Sequence, residues 1–270
     1  MNLTQLWIPL ATVSLFGFTS GLIAVYIVLR RMSFVGDGLA HASLAGVAIA
    51  WLAGWHLTVG AAGWALVTAL AIRLMRKLNI ATDAAIGVTF TFSFALGIVL
   101  MGEGEEAVHQ VFEAVFGNLL AVGQEELYLT LATFLVVGLV LLLLRPVLDF
   151  VSFDPEGAAA FGIPVLVVDL VLMVLITLVV VAGLKSVGVL MVAAMVVTPA
   201  VTALQVSRSL PASLLISGLV GAVAGLAGTW ISLVSGISTG ATVVLVVTLI
   251  FLIVWLGKLL SRMRVAGRQT

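Results

Sequence analysis

Long apolar runs separated by short polar breaks dominate the chain. Nine are marked by the pattern, at approximately 6–29, 34–54, 57–72, 84–101, 127–144, 164–184, 186–206, 212–233 and 241–257. Within each run the apolar residues are continuous, without the alternation of a barrel strand that faces lipid on one side only. A helix crossing a hydrocarbon layer of ~30 Å needs about 20 such residues at ~1.5 Å each. The pattern therefore predicts an all-α, polytopic membrane protein with about eight or nine transmembrane helices. Gly and Pro interrupt some runs, so a range of roughly seven to ten spans is compatible with the same rule. Residues 1–270 are expected to form a single transmembrane domain. The opening "MNLTQLWIPL" carries no basic residue, and no small-residue cleavage site precedes Arg30. The first run is thus expected to be a retained span and not a removed signal peptide.

Composition agrees with this reading. The chain is 63% hydrophobic and 9% charged, with a mean hydropathy of +1.32, whereas a soluble domain is about half apolar and about a quarter charged. Its 27 glycines suit helices that must approach closely in lipid. The absence of cysteine removes disulfides and thiolate metal sites. Twelve basic residues balance twelve acidic ones, which argues against a nucleic-acid partner. Their sorting along the chain is more informative. With the N-terminus outside and nine crossings, Arg30, Arg31, Arg73, Arg76, Lys77, Arg145, Arg208, Lys258, Arg262, Arg264 and Arg268 all fall on the cytoplasmic side. Lys185 alone falls outside, where it can snorkel or cap a helix end. This asymmetry is the one that sets membrane orientation.

The costly residues lie in "GDGLAHASLAG", residues 36–46. Asp37 and His41 are four apart, so a helix presents both on one face. Counted from the Arg30–Arg31 boundary, His41 is expected roughly 15 Å into the membrane, near its midplane. Ionisable groups at such a depth face a bundle interior or an aqueous path. A carboxylate and a neutral imidazole suit Zn²⁺ or Mn²⁺. The same spacing fits a structural Asp–His pair, and it also fits a proton relay. Outside the membrane, Glu103, Glu105, Glu106 and His109 are a candidate metal-entry cluster or a solvated acidic loop. The longest cytoplasmic connection, 145–163, contains "SFDPEGAAAFG", a capped short helix by its pattern. Asp154 is placed to cap it, Pro155 to open it, Glu156 to complement its dipole and Gly162 to end it. Pro199 interrupts the helix ladder of the seventh run. No HExxH, Walker loop or TVGYG-type filter is present, against a zincin protease, direct ATP binding and a potassium channel.

Four co-linear stretches resemble the permeases of metal-ion ABC transporters. "RRMSFVGDGLAHASLAGVAIA" (30–50) follows that family's pattern R-M-x-x-x-G-D-x-L-x-H-x-x-L-x-G-V-A. "VFGNLLAV" (115–122), "SFDPEGAAAFGIPV" (152–165) and "LKSVGVLMVAAMVVTPAVTA" (184–203) match further motifs in order. "SGISTGATVVL" (235–245) departs from the last-loop motif by lacking its usual Pro. The version "LAHASL", with Ala45 where the manganese/iron branch usually has Pro, is similar to the zinc-uptake branch. The resemblance implies a type II importer-like homodimer in a prokaryotic inner membrane. It implies two copies of a separate ATP-binding cassette subunit and an extracytoplasmic metal-binding protein as partners, with no bound cofactor. The cargo would be Zn²⁺, with Mn²⁺ or Fe²⁺ as the alternative. Asp37 and His41 become the candidate translocation-path ligands. Asp154, Glu156, Ala158 and Gly162 become the coupling contacts of a segment at about 150–163. From a different class, a stand-alone proton-coupled carrier would use Asp37 and His41 as its relay. An intramembrane metalloenzyme would need a third ligand and a general base that the spans do not offer.

Overall fold

The computed structural model describes residues 3–102 and 122–266. Among the described residues there is no strand, and the elements are helical throughout. They are α1 (Leu3–Leu29), α2 (Val35–Ala53), α3 (Leu57–Lys77), α4 (Thr82–Met101), α5 (Gln124–Phe153), α6 (Pro155–Ala160), α7 (Val165–Val187), α8 (Val189–Met195), α9 (Thr198–Val206), α10 (Leu210–Ser235) and α11 (Thr239–Ala266). Nine stretches among these residues are long and apolar enough to cross a membrane, with α8 and α9 together making one of them, Val189–Val206. The protein is a multi-pass, all-α membrane protein, as the apolar pattern predicts.

Helix α1 crosses α10 and also touches α5, α7 and α9, while α2 lies between α3 and α4 and α11 sits on the outside against α9 and α10. The core runs along this arrangement. Phe16, Ile23, Tyr26 and Ile27 of α1, Leu172 and Ile176 of α7, and Met191 and Met195 of α8 are all fully buried. Lipid gives helices no hydrophobic reason to associate, so close packing and interhelical hydrogen bonds must do it. The α1–α10 crossing shows how. A Cβ added at Gly17 would fall on the backbone of Gly221, and one at Gly221 would fall on that of Gly17. Gly21 stands in the same relation to the Ser217 backbone, and Gly225 to that of Val13. The two sequences G-x-x-x-G (17–21) and S-x-x-x-G-x-x-x-G (217–225) therefore meet face to face. Ser217 Oγ donates to the Gly21 carbonyl at 2.6 Å, adding a hydrogen bond at the point of closest approach. Other hydroxyls in the spans, those of Thr12, Thr19 and Thr177 among them, return their protons to carbonyls of their own helix, which spares those donors from facing hydrocarbon unpaired.

Two boundaries differ from the sequence pattern. The apolar run ending near 144 continues as helix to Phe153, so most of the loop expected over 145–163 is helical. Pro146 lies inside this helix, where an interior Pro costs about 3 kcal/mol. Tertiary contacts offset it: Leu148 and Val151 are buried in the core, Arg145 pairs with Asp149 one turn on at 3.4 Å, and Tyr26 Oη donates to Asp149 Oδ1 at 2.7 Å. The seventh run is not one helix. It breaks at Val196–Val197, and Pro199 stands in the first turn of α9, where its missing N–H leaves no ladder bond unmade. The ladder interruption expected at Pro199 is thus a complete helix break.

If the glycine crossing sets the α1–α10 distance, Gly221→Ala should force the helices apart at a cost of about 1–3 kcal/mol, lowering the melting temperature of the purified protein. Gly257→Ala, where an added Cβ meets nothing within 4 Å, should leave that temperature unchanged.

Candidate functional site

The segment 30–34 is a turn. Arg31 takes a left-handed conformation with φ 56°, and α2 begins only at Val35. His41 therefore lies six residues into α2, about 9 Å along its axis, closer to the cytoplasmic end than the midplane position expected from Arg30. Asp37 and His41 do share one face. His41 Nδ1 lies 3.0 Å from the Asp37 carbonyl oxygen and 3.2 Å from its Oδ1. Their side chains are 23% and 42% exposed, open enough for an ion or a further chain to reach. On the other side the imidazole meets α4, edge to face with Phe90 at 5.0 Å and Phe94 at 5.8 Å between ring centres.

This arrangement fixes the ring chemically. With Nδ1 donating to Asp37, a neutral imidazole carries its lone pair on Nε2, and the two phenylalanines hold the ring plane. Metal-binding histidines are held in this way, with the non-ligating N–H given to a carbonyl or carboxylate. Glycines allow the segment to sit where it does. A Cβ at Gly36 would lie 2.6 Å from Val196 Cγ1, at the α8–α9 break, and one at Gly38 would lie 2.6 Å from Ile86 Cγ2 of α4. Gly46 and Gly60 bring α2 and α3 into backbone contact. Among the described residues no group of three or more His, Asp or Glu comes together as a metal site, and Asp37 and His41 stand as a pair. Glu103, Glu105, Glu106 and His109 lie outside the described residues.

The segment around Asp154, expected at the cytoplasmic face, adopts the local geometry its sequence encodes. Asp154 Oδ1 accepts from the Gly157 amide at 2.8 Å, and Pro155 and Glu156 form the first turn of α6. The helix closes when Gly162, at φ 81°, donates to Ala159 and Ile163 donates to Ala158, both at 3.0 Å, the pairing of a Schellman cap. Ala158 is buried, whereas Asp154, Glu156 and Gly162 are exposed. Phe153 and Phe161, 66% and 81% exposed, flank the little helix.

Sequence reasoning passed over one cluster. Asp169 of α7 pairs with Arg30 and with Arg73 of α3 at 3.4 Å, and Arg30 Nε donates to Ser152 Oγ of α5 at 3.0 Å. Four elements are thereby tied near the C-terminal end of α1. The available signal was a carboxylate standing alone within the apolar run "VLVVDLVLMV", which demands a buried cation.

Residues 4–258 match the ABC 3 transport family. The chain is 38% identical to the manganese transport system membrane protein MntC of Halalkalibacterium halodurans, over 88% of this chain and 82% of that one. It is 37% identical to the manganese import system permease protein ScaB of Streptococcus parasanguinis, over 90% and 87%. Among solved structures it is similar to PsaBC from Streptococcus pneumoniae in complex with Fab, with a TM-score of 0.84 and 34% identity over 92% of this chain and 90% of that one.

Asp169→Asn removes the carboxylate that two arginines share and leaves Arg30 buried without a counter-charge. A loss of about 3–5 kcal/mol is expected, measurable as a fall in melting temperature or in membrane-inserted yield. Arg73→Gln, which leaves the Arg30–Asp169 pair in place, should lose less.

Proposed function

The chain belongs to the ABC 3 transport family, and on that premise we propose that it imports manganese(II) as the membrane-spanning permease of an ATP-driven system. It is a transporter subunit and not an enzyme, and ATP hydrolysis belongs to a separate subunit. The observation that carries the reading is the Asp37–His41 pair. An imidazole with Nδ1 occupied by Asp37 presents Nε2 to a divalent cation, and the carboxylate beside it supplies oxygen. Nitrogen with oxygen, and no sulfur, suits Mn²⁺ as well as Zn²⁺. Two protein ligands from one copy make a weak site, which a transport site must be if it is to release its ion. A second copy across a two-fold axis would bring two more.

The names of the relatives favour manganese over zinc. The zinc reading rested on Ala45, and helix packing supplies another reason for that residue. Ala45 is fully buried, and a Cβ at Gly97 of α4 would lie 3.1 Å from its amide nitrogen. The backbone of α2 at Ala45 thus lies against α4, and a small, helix-compatible residue at 45 suits that packing as well.

The partners follow from the same reading. Helix α6, rigidly capped at both ends and flanked by exposed Phe153 and Phe161, is suited to enter a groove of an ATP-binding cassette subunit, one per permease copy. Asp154, Glu156, Ala158 and Gly162 give that helix its shape and charge. An extracytoplasmic binding protein would deliver the metal on the opposite side, where His56 and Glu125 lie 3.7 Å apart at the outer helix ends. The bacterial inner membrane is the expected location.

In vesicles reconstituted with the ATPase subunit, His41→Ala should reduce ATP-dependent ⁵⁴Mn²⁺ uptake to background while the ATPase still co-purifies; uptake at the wild-type rate would rule out the ligand role. Excess Zn²⁺ should compete less well than unlabelled Mn²⁺, and the reverse order would return the cargo to zinc. Reversing charge at the coupling helix, with Asp154→Lys and Glu156→Lys together, should release the ATPase subunit on size exclusion, and an intact complex would sink the docking role.

A further inference from the structure

At the cytoplasmic end of α1 a cleft opens between α1, α3, α5 and α7, with Arg30, Arg31, Arg76, Ser152 and Asp169 on its walls. We propose that this cleft binds the phosphate of an anionic phospholipid of the inner leaflet.

The first argument is charge. Asp169 is the only carboxylate on the walls, and it is already shared by Arg30 and Arg73. Arg31 makes no ion pair among the described residues. Arg76 Nη1 donates to Met32 Sδ at 3.3 Å, and a thioether is a weak acceptor that neutralises no charge. The cleft thus carries a surplus of guanidinium groups, whose forked donors match phosphate oxygens.

The second argument is an unmet donor. The Arg30 side chain is only 9% exposed, and its Nη2 is buried without a hydrogen-bond partner. A buried donor in that condition is costly, and it belongs to a residue that lines the cleft.

The third argument is the backbone. On a continuous helix two successive residues do not face the same way. The left-handed turn at Arg31, unfavourable for a residue with a Cβ, is what allows Arg30 and Arg31 to line one cleft.

Depth and wall chemistry select lipid over free phosphate. The cleft lies where the span Trp7–Leu29 ends and the span Val165–Leu184 begins, at the level of inner-leaflet headgroups. Leu29, Val151 and Val165 complete its walls, offering apolar surface to the glycerol and upper acyl chain. Inorganic phosphate would use the arginines and leave that surface bare. Pro155, the first residue of α6, also borders the cleft, so a bound headgroup would rest against the base of the coupling helix.

The test titrates the purified full-length chain with phosphatidylglycerol and, separately, with phosphatidylcholine, reading retained lipid by native mass spectrometry. Phosphatidylglycerol should be retained preferentially. Arg31→Gln and Arg76→Gln should each weaken it about fivefold, the effect of one basic residue near an anionic surface, without lowering the melting temperature. Arg31→Lys should weaken it less. Arg208→Gln, which alters an exposed arginine in another cytoplasmic connection, should have no effect. Equal retention of the two lipids, or an equal loss for Arg208→Gln, would reduce the effect to general surface charge and overturn the proposal. Retention of inorganic phosphate by the purified chain, with no retention of phosphatidylglycerol, would assign the cleft to the free anion. Unchanged lipid retention with loss of the ATPase subunit from the Arg31 and Arg76 variants would assign it to an acidic side chain of that subunit; either result excludes the lipid.

Discussion

Helix contact in this protein is limited by how close two backbones can come. Lipid solvates an apolar side chain as well as another helix does, so burial alone cannot hold the bundle together. Association rests on dispersion between surfaces that touch at short range and on the few hydrogen bonds made there. The Gly17–Gly221 contact, with Ser217 bonded to the Gly21 carbonyl, meets that requirement for α1 and α10. Gly46 with Gly60, and Gly97 with Ala45, meet it for the helices around α2. Side chains such as Phe16 and Tyr26 then fill what the backbone contacts leave open.

The same constraint places the chemistry. Asp37 and His41 stand in a stretch whose alternate residues, Gly36 and Gly38, lie against Val196 and Ile86. The small residues bring α2 into the bundle, and the ionisable ones between them turn to the remaining face. His41 is thereby pressed between its own carboxylate partner and two rings of α4. Its orientation is a product of helix packing as much as of the hydrogen bond to Asp37. At the cytoplasmic end the logic is electrostatic, with Asp169 gathering arginines from α1 and α3.

Much of this was legible in the sequence because membrane helices announce themselves by length and continuity. The span count, the Asp37–His41 face and the capped helix after Asp154 all follow from local rules. What was not legible depended on residues distant in sequence. Helix α5 continues past Pro146 because Tyr26, more than a hundred positions earlier, holds Asp149. His41 is shallower than its distance from Arg30 suggests because Arg31 adopts a left-handed turn that nothing in its side chain demands. Ala45 reads as a mark of metal choice in one dimension, and in three it is also a fully buried position whose backbone lies against Gly97. Only the lone carboxylate at Asp169 gave a local warning of its partners.

One consequence concerns mechanics. Helix α5 has 30 residues and is about 45 Å long, half as long again as the ~30 Å hydrocarbon layer. It runs as one helix, with Pro146 in its interior, to the base of α6. By contrast, the neighbouring path through α7, α8 and α9 is articulated twice, at Gly188 and at Val196–Val197. A displacement at the α6 end of α5 would be carried along one continuous helix. In the path through α7, α8 and α9 the same displacement would be taken up at the breaks, one of which, at Val196, lies against Gly36 beside the Asp37–His41 pair.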